Sequence, residues 1–134
     1  MRVTGGCFCG AVRYRSKSAP ISSLICHCAT CREVSSAPFV AWVTFRHSDF
    51  QFTTGAPTEL RSSAHVVRTY CAQCGTALGY TKDGVVDEID ITTCSLDDPA
   101  AYPPTRHEWV SEALPWINMA DGLPQYLKSK SQLE

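Results

Sequence analysis

Gly6-Cys7-Phe8-Cys9-Gly10-Ala11-Val12-Arg13-Tyr14 sets two thiols two residues apart, turns on a glycine and runs on into an alternation of apolar and basic residues. A second thiol pair, Cys71-Ala72-Gln73-Cys74-Gly75, repeats the arrangement some sixty positions later. Each turn offers two sulfurs to one ion. A tetrahedral Zn2+ takes four thiolates at about 2.3 Å, so two such turns from distant strands complete a closed site that staples a β-structure together. A glycine directly after Cys9 and after Cys74 suits a tight metal-binding turn, because it enters positive φ without a Cβ clash.

Outward from these turns the chain reads as short β segments broken by turn residues, with no sustained 3.6-residue periodicity and few, short helices. Ala11 to Arg15 predicts a half-exposed strand, and Phe39 to Phe45, β-branched and aromatic without a charge, a buried one. Further strands are expected at Asp49 to Thr53, Thr58 to Arg61, Val66 to Tyr70, Ala77 to Thr81 and Val86 to Thr92. Gly55-Ala56-Pro57, Gln73 to Gly75 and Lys82-Asp83-Gly84 separate them, giving a mainly β, meandering antiparallel arrangement. Ser95-Leu96-Asp97-Asp98-Pro99 predicts a single helical turn capped by Ser95. Pro99, Pro103, Pro104, Pro115 and Pro124 leave the last third as ordered coil.

With 134 residues and 44% hydrophobic composition, the chain is long enough for one core, and a single domain over residues 1–134 is expected. A formal net charge of -1, with no basic or acidic tract, points to no nucleic-acid partner. No stretch approaches the roughly 18 apolar residues of a membrane span, and the N-terminus lacks the apolar run of a secretory signal, so a soluble cytoplasmic protein is expected. Eight cysteines could then mean disulfides or metal. Seven of them fall into three tight groups, and that clustering favours metal ligation.

The third group, Cys26-His27-Cys28-Ala29-Thr30-Cys31-Arg32, packs three thiols into six residues with no fourth cysteine beside it. Three protein ligands and one open position are the pattern of a catalytic rather than a structural zinc. In an extended segment His27 points away from Cys26 and Cys28, so it is expected to pack or bond behind the site. Arg32 can offset the charge of three thiolates or hold a substrate carboxylate, with Arg46, Arg68 and His107 as other candidate clamps, or can equally stand exposed and uninvolved as most arginines do. Cys94 reads as an inert buried thiol ending a strand.

Taken in order, these motifs resemble the glutathione-dependent formaldehyde-activating enzyme and centromere protein V family over nearly the whole chain. The opening Gly5 to Tyr14, the central Cys26 to Arg32 and Tyr70-Cys71-Ala72-Gln73-Cys74-Gly75-Thr76 carry the likeness. Leu96-Asp97-Asp98-Pro99, Trp116 and Asp121-Gly122-Leu123-Pro124 complete it. The resemblance implies twisted antiparallel sheets of the kind called a β-tent. It also implies two Zn2+ per chain, a structural one on Cys7, Cys9, Cys71 and Cys74 and a catalytic one on Cys26, Cys28 and Cys31. The implied activity is a carbon-sulfur lyase reaction, the reversible formation of S-(hydroxymethyl)glutathione from glutathione and formaldehyde, with glutathione as co-substrate and small molecules as the only partners. Phe8 stands where many members carry histidine, and the chain is shorter than the namesake enzymes. A non-catalytic zinc-stabilised binding module would leave the open triplet unexplained. A methionine sulfoxide reductase would need an Arg-aromatic-Cys context that Cys94 lacks.

Overall fold

The computed structural model describes residues 2–130, so Met1 and residues 131–134 of the expected 1–134 domain lie outside the described residues. The strands are β1 (Val3–Gly6), β2 (Arg13–Ser16), β3 (Ser22–Cys26), β4 (Val40–Arg46), β5 (Phe50–Thr54), β6 (Thr58–Ser63), β7 (Val66–Tyr70), β8 (Ala77–Lys82), β9 (Glu88–Thr92) and β10 (His107–Glu108). The one α-helix among the described residues is α1 (Ala29–Ser35), accompanied by single 3-10 turns. The protein is mainly β, its twisted sheets not closed into a barrel, as the sequence indicates. Among the described residues, no helix is long and apolar enough to cross a membrane.

The described chain forms two compact units. The first comprises residues 2–22 and 43–102. It holds a three-stranded sheet in the order β1-β2-β5 and a run in the order β4-β9-β8-β7-β6. The pairings β1 with β2, β2 with β5, and β6 through β9 in succession are antiparallel, the meander read from the turn residues. Its core gathers Val3, Val12, Tyr14, Val43, Phe45, Leu78, Ile89, Ile91 and Leu96 together with Cys7 and Cys71. Tyr14 shows why the alternation in β2 matters: inward-facing Tyr14 is buried between half-exposed Arg13 and Arg15, its ring 5.2 Å from that of Phe50.

The second unit comprises residues 23–42 and 103–130 and carries the order β10-β3-β4 and helix α1. Here β10 pairs with β3 in parallel, His107 opposite Ile25 and Glu108 opposite Cys26, a departure from the antiparallel expectation. The proline-rich last third is mostly irregular, and residues 124–126 run alongside β10 through His107 N–H to Pro124 O at 2.8 Å and Tyr126 N–H to His107 O at 2.9 Å.

Two sequence expectations need correction. The helical turn does not begin at Ser95. The 3-10 turns are Thr93–Ser95 and Pro99–Ala101, because the Ser95 hydroxyl is committed to Thr92 O at 2.8 Å and to the Tyr14 hydroxyl at 2.6 Å rather than to a helix N-terminus. Cys94, expected as a buried thiol, is exposed, because β9 ends at Thr92 and the following 3-10 turn rotates residue 94 outward while Thr93 and Ser95 turn in.

Candidate metal centres

Cys7 and Cys9 follow β1, and Cys71 and Cys74 follow β7, so strand ends of the first unit deliver the four thiols. Gly10 and Gly75 take φ of +81° and +79°, the left-handed conformation the two turns require. All four sulfurs lie within 4.8 Å of one another. Cys7 Sγ is 3.6 Å from Cys9 Sγ, and Cys9 Sγ is 3.8 Å from Cys71 Sγ. A tetrahedron with metal-sulfur bonds of about 2.3 Å has edges of about 3.8 Å, so the donor set fits Zn2+.

Main-chain groups lean on the same sulfurs: Val12 N–H donates to Cys7 Sγ at 3.2 Å, and Phe8 N–H ties the first turn to the second through Thr76 Oγ1 at 3.0 Å. Burial opposes ionisation of Cys7, but the Val12 N–H and the neighbouring Cys71 and Cys9 thiols outweigh it and hold its pKa below the usual thiol range. Cys74 is drawn down to about 5 by the Thr76 hydroxyl, then by the main-chain N–H groups of Thr76 and Cys9. Cys9 rises to about 11: the Ala11 N–H lowers it, but desolvation and the three other thiols together raise it more. Cys7 and Cys74 are thus drawn toward the thiolate, while Cys9 is held back from it by its neighbours. Phe8, at the tip of the first turn, is 94% exposed and contributes no donor from its side chain.

In the second unit Cys26 ends β3, and Cys28 and Cys31 flank the start of α1, with all three sulfurs within 4.8 Å of one another. The local fold makes this possible through an unusual cap. Cys28 is the N-cap residue of α1, extended at φ -62° and ψ 148°, and its Sγ accepts the Cys31 N–H at 3.3 Å. Glu112 Oε1 accepts the Ala29 N–H at 3.0 Å, so the first turn of this seven-residue helix is held by a thiol and a carboxylate. The Cys26 thiol is pushed well above its ordinary pKa by hydrogen bonding with Cys28 and Cys31 and by burial. Cys28 is lowered by Cys26, but Cys31 and desolvation leave it raised overall. As thiolates the three sulfurs form a soft donor set that suits Zn2+, one ligand short of the usual four.

His27 is fully buried and stands outside the thiol cluster, its ring 5.5 Å from that of Phe39. Burial, then the nearby His107 and Arg32, hold its pKa below the ordinary imidazole value. Arg32 turns its Nε to His27 O at 3.3 Å and its Nη2 to Glu112 O at 3.2 Å, and it borders a groove of about 380 Å³ shared with Pro38, Leu114 and Trp116. Trp116 is 69% exposed there. His107, a candidate clamp in the sequence, is buried instead, with Nδ1 2.8 Å from His27 Nε2 and Nε2 2.8 Å from Asp121 Oδ2. Arg68 is likewise buried, its guanidinium 5.0 Å from the Tyr80 ring centre, whereas Arg46 is exposed. Glu112 carries no signal in the sequence that would mark it as a site residue, and Asp121 carries only its place in Asp121-Gly122-Leu123-Pro124.

None of the eight cysteines is joined in a disulfide. The family model described as glutathione-dependent formaldehyde-activating enzyme matches residues 2–112. No curated protein matches the chain. Among solved structures, the crystal structure of a Rhodobacter sphaeroides protein is similar at 19% identity and a TM-score of 0.58, over 92% of this chain and 98% of that one, a likeness of fold.

Proposed function

Because the chain belongs to the glutathione-dependent formaldehyde-activating enzyme family, we propose that it works, as a single domain over residues 1–134, as a zinc-dependent carbon-sulfur lyase on a glutathione adduct. The reaction is the reversible formation of S-(hydroxymethyl)glutathione from glutathione and formaldehyde. The observation that carries this reading is the existence of two thiol clusters of different completeness, four sulfurs in one and three in the other. In this assignment Cys7, Cys9, Cys71 and Cys74 hold a structural Zn2+, and Cys26, Cys28 and Cys31 hold a catalytic one.

When bound at the three-thiol cluster, the metal supplies an electrophilic centre that keeps sulfur ionised at neutral pH. In the forward direction the glutathione sulfur attacks the formaldehyde carbon, the carbon-oxygen π pair moves to oxygen, and the thiol proton ends on that oxygen. Free glutathione is only about 3% thiolate at pH 7 for a thiol pKa near 8.5, so full ionisation offers at most about a 30-fold gain, and orientation supplies the rest. The chain's part is to orient: the groove beside Arg32 takes the body of the tripeptide, with Arg32 as the contact for one of its carboxylates. Eight cysteines without a disulfide and a glutathione substrate suit a reducing compartment, and the cytoplasm is the proposed location.

The test is NMR exchange between formaldehyde, glutathione and S-(hydroxymethyl)glutathione with zinc-loaded protein. Acceleration over the uncatalysed rate that disappears in Cys28→Ala supports the lyase. Glutathione binding without acceleration would make the chain a zinc-stabilised binding module.

A further inference from the structure

His27 sits between two thiols of the cluster in sequence, but its ring stands outside the group of close donor atoms that Cys26, Cys28 and Cys31 form. Its ring meets His107, and His107 meets Asp121, in a hydrogen-bonded chain of two 2.8 Å links. An ionised Asp121 only accepts, so His107 Nε2 donates to it; with His107 neutral, its Nδ1 is the acceptor and His27 Nε2 the donor. The Asp121 carboxyl is held below its usual pKa first by this bond to His107, then by the Leu123 N–H, and Oδ1 accepts that N–H at 3.0 Å.

The main chain of residue 27 is fixed as well. Its N–H donates to Glu108 O at 3.0 Å, and its carbonyl accepts Arg32 Nε at 3.3 Å. Side chain, N–H and C=O of His27 are therefore all engaged, so the backbone between Cys26 and Cys28 is held at three points. That in turn sets the directions in which the two flanking thiols leave the chain. The arrangement has a cost, because His27 Nδ1 is buried with no hydrogen-bonding partner. A buried nitrogen without a partner is unfavourable, and an apolar side chain here would avoid it, so packing stability does not account for an imidazole at this position.

We propose that His107 and Asp121 are positioning residues for the Cys26, Cys28 and Cys31 cluster, acting through the ring of His27. The inference rests on the reading that this cluster holds a metal ion. It predicts that breaking the chain loosens that ion and leaves the ion on Cys7, Cys9, Cys71 and Cys74 in place.

The experiment loads the full chain with Zn2+ or Co2+ and follows two readouts besides turnover: transfer of zinc to a chromophoric chelator, and the visible ligand-field bands of the cobalt form. Asp121→Ala and His107→Leu should each weaken the three-thiol site by about 10- to 100-fold, the range typical of groups that orient metal ligands, with the cobalt bands of the four-thiol site unchanged. Asp121→Asn should stay nearer to wild type than Asp121→Ala, since its one amide oxygen still accepts the His107 hydrogen although the Leu123 N–H loses its acceptor. His107 lies in the interior, whereas the Asp121 side chain is 42% exposed, so Asp121→Ala gives the answer even where His107→Leu fails to fold. Equal loosening of both ions, no loosening of either, or an Asn variant as damaged as the Ala variant would each overturn the proposal. A wild-type chain that takes up one ion overturns it together with the metal reading. Two ions, selective loss and no lyase turnover sustain it and remove the lyase reading alone.

Discussion

Cys28 does two jobs in the structure, and substitutions can separate them. Its sulfur belongs to the three-thiol cluster and also caps α1, accepting the Cys31 N–H at 3.3 Å while its carbonyl accepts the Arg32 N–H at 3.1 Å. Serine keeps the cap, because Oγ accepts the same N–H, but it does not replace a thiolate on Zn2+. Alanine loses both. Loss of an N-cap acceptor costs about 1 kcal/mol, and a helix of two turns has little stability of its own with which to absorb it. For a chain of this length that cost corresponds to about 3–5 °C in Tm. We therefore expect Cys28→Ser and Cys28→Ala to bind one zinc per chain each, with the serine variant melting about 3–5 °C higher. Metal analysis after gel filtration and calorimetric melts of the one-zinc forms measure both numbers. A serine variant that keeps two zinc ions would refute the ligand set, and equal melting temperatures would refute the capping role.

Three further outcomes are expected. Cys74→Ser should unfold or aggregate the protein, because a structural zinc contributes about 10–16 kcal/mol in small zinc domains, more than the whole stability of most chains, and brief chelation of wild type should remove one zinc and leave the other. Tyr14→Phe should lower stability by about 1 kcal/mol, seen as a lower urea midpoint at unchanged m-value, since the buried Tyr14 hydroxyl donates to Ser95 Oγ at 2.6 Å while that Oγ donates to Thr92 O. Asp97 has its pKa held below the ordinary value first by hydrogen bonding to Arg13, then by Thr4, so its contribution is present above the unfolded carboxyl pKa of about 3.9 and is lost as pH falls through the lower folded value. Asp97→Asn should therefore be slightly less stable than wild type at pH 7 and converge with it in acid; a gap that widens below pH 4 would contradict the sign.

What the sequence made legible follows how local each signal is. Val66 to Tyr70 is bounded by turn residues on both sides, and β7 has those same bounds. The thiol pairs were readable because a metal-binding turn needs only its own few residues, and Gly10 and Gly75 adopt the positive φ their positions call for. Helix α1 was not readable: its cap is a cysteine where Ser, Thr, Asp or Asn would signal a start, and seven residues show barely two turns of periodicity. β1 carries two glycines in four residues, and β10 exists only through its pairing with β3 across some eighty positions. The same distinction divides the site. The thiols that could hold a metal are neighbours in sequence, whereas the groups that aim them come from 80 positions away in His107 and a further 14 in Asp121. The alternation of an extended segment turns His27 away from Cys26 and Cys28, but only the fold shows which atom its ring meets. In this chain the ring meets another histidine, so the orientation of Cys26 and Cys28 depends on a C-terminal loop that contributes no thiol.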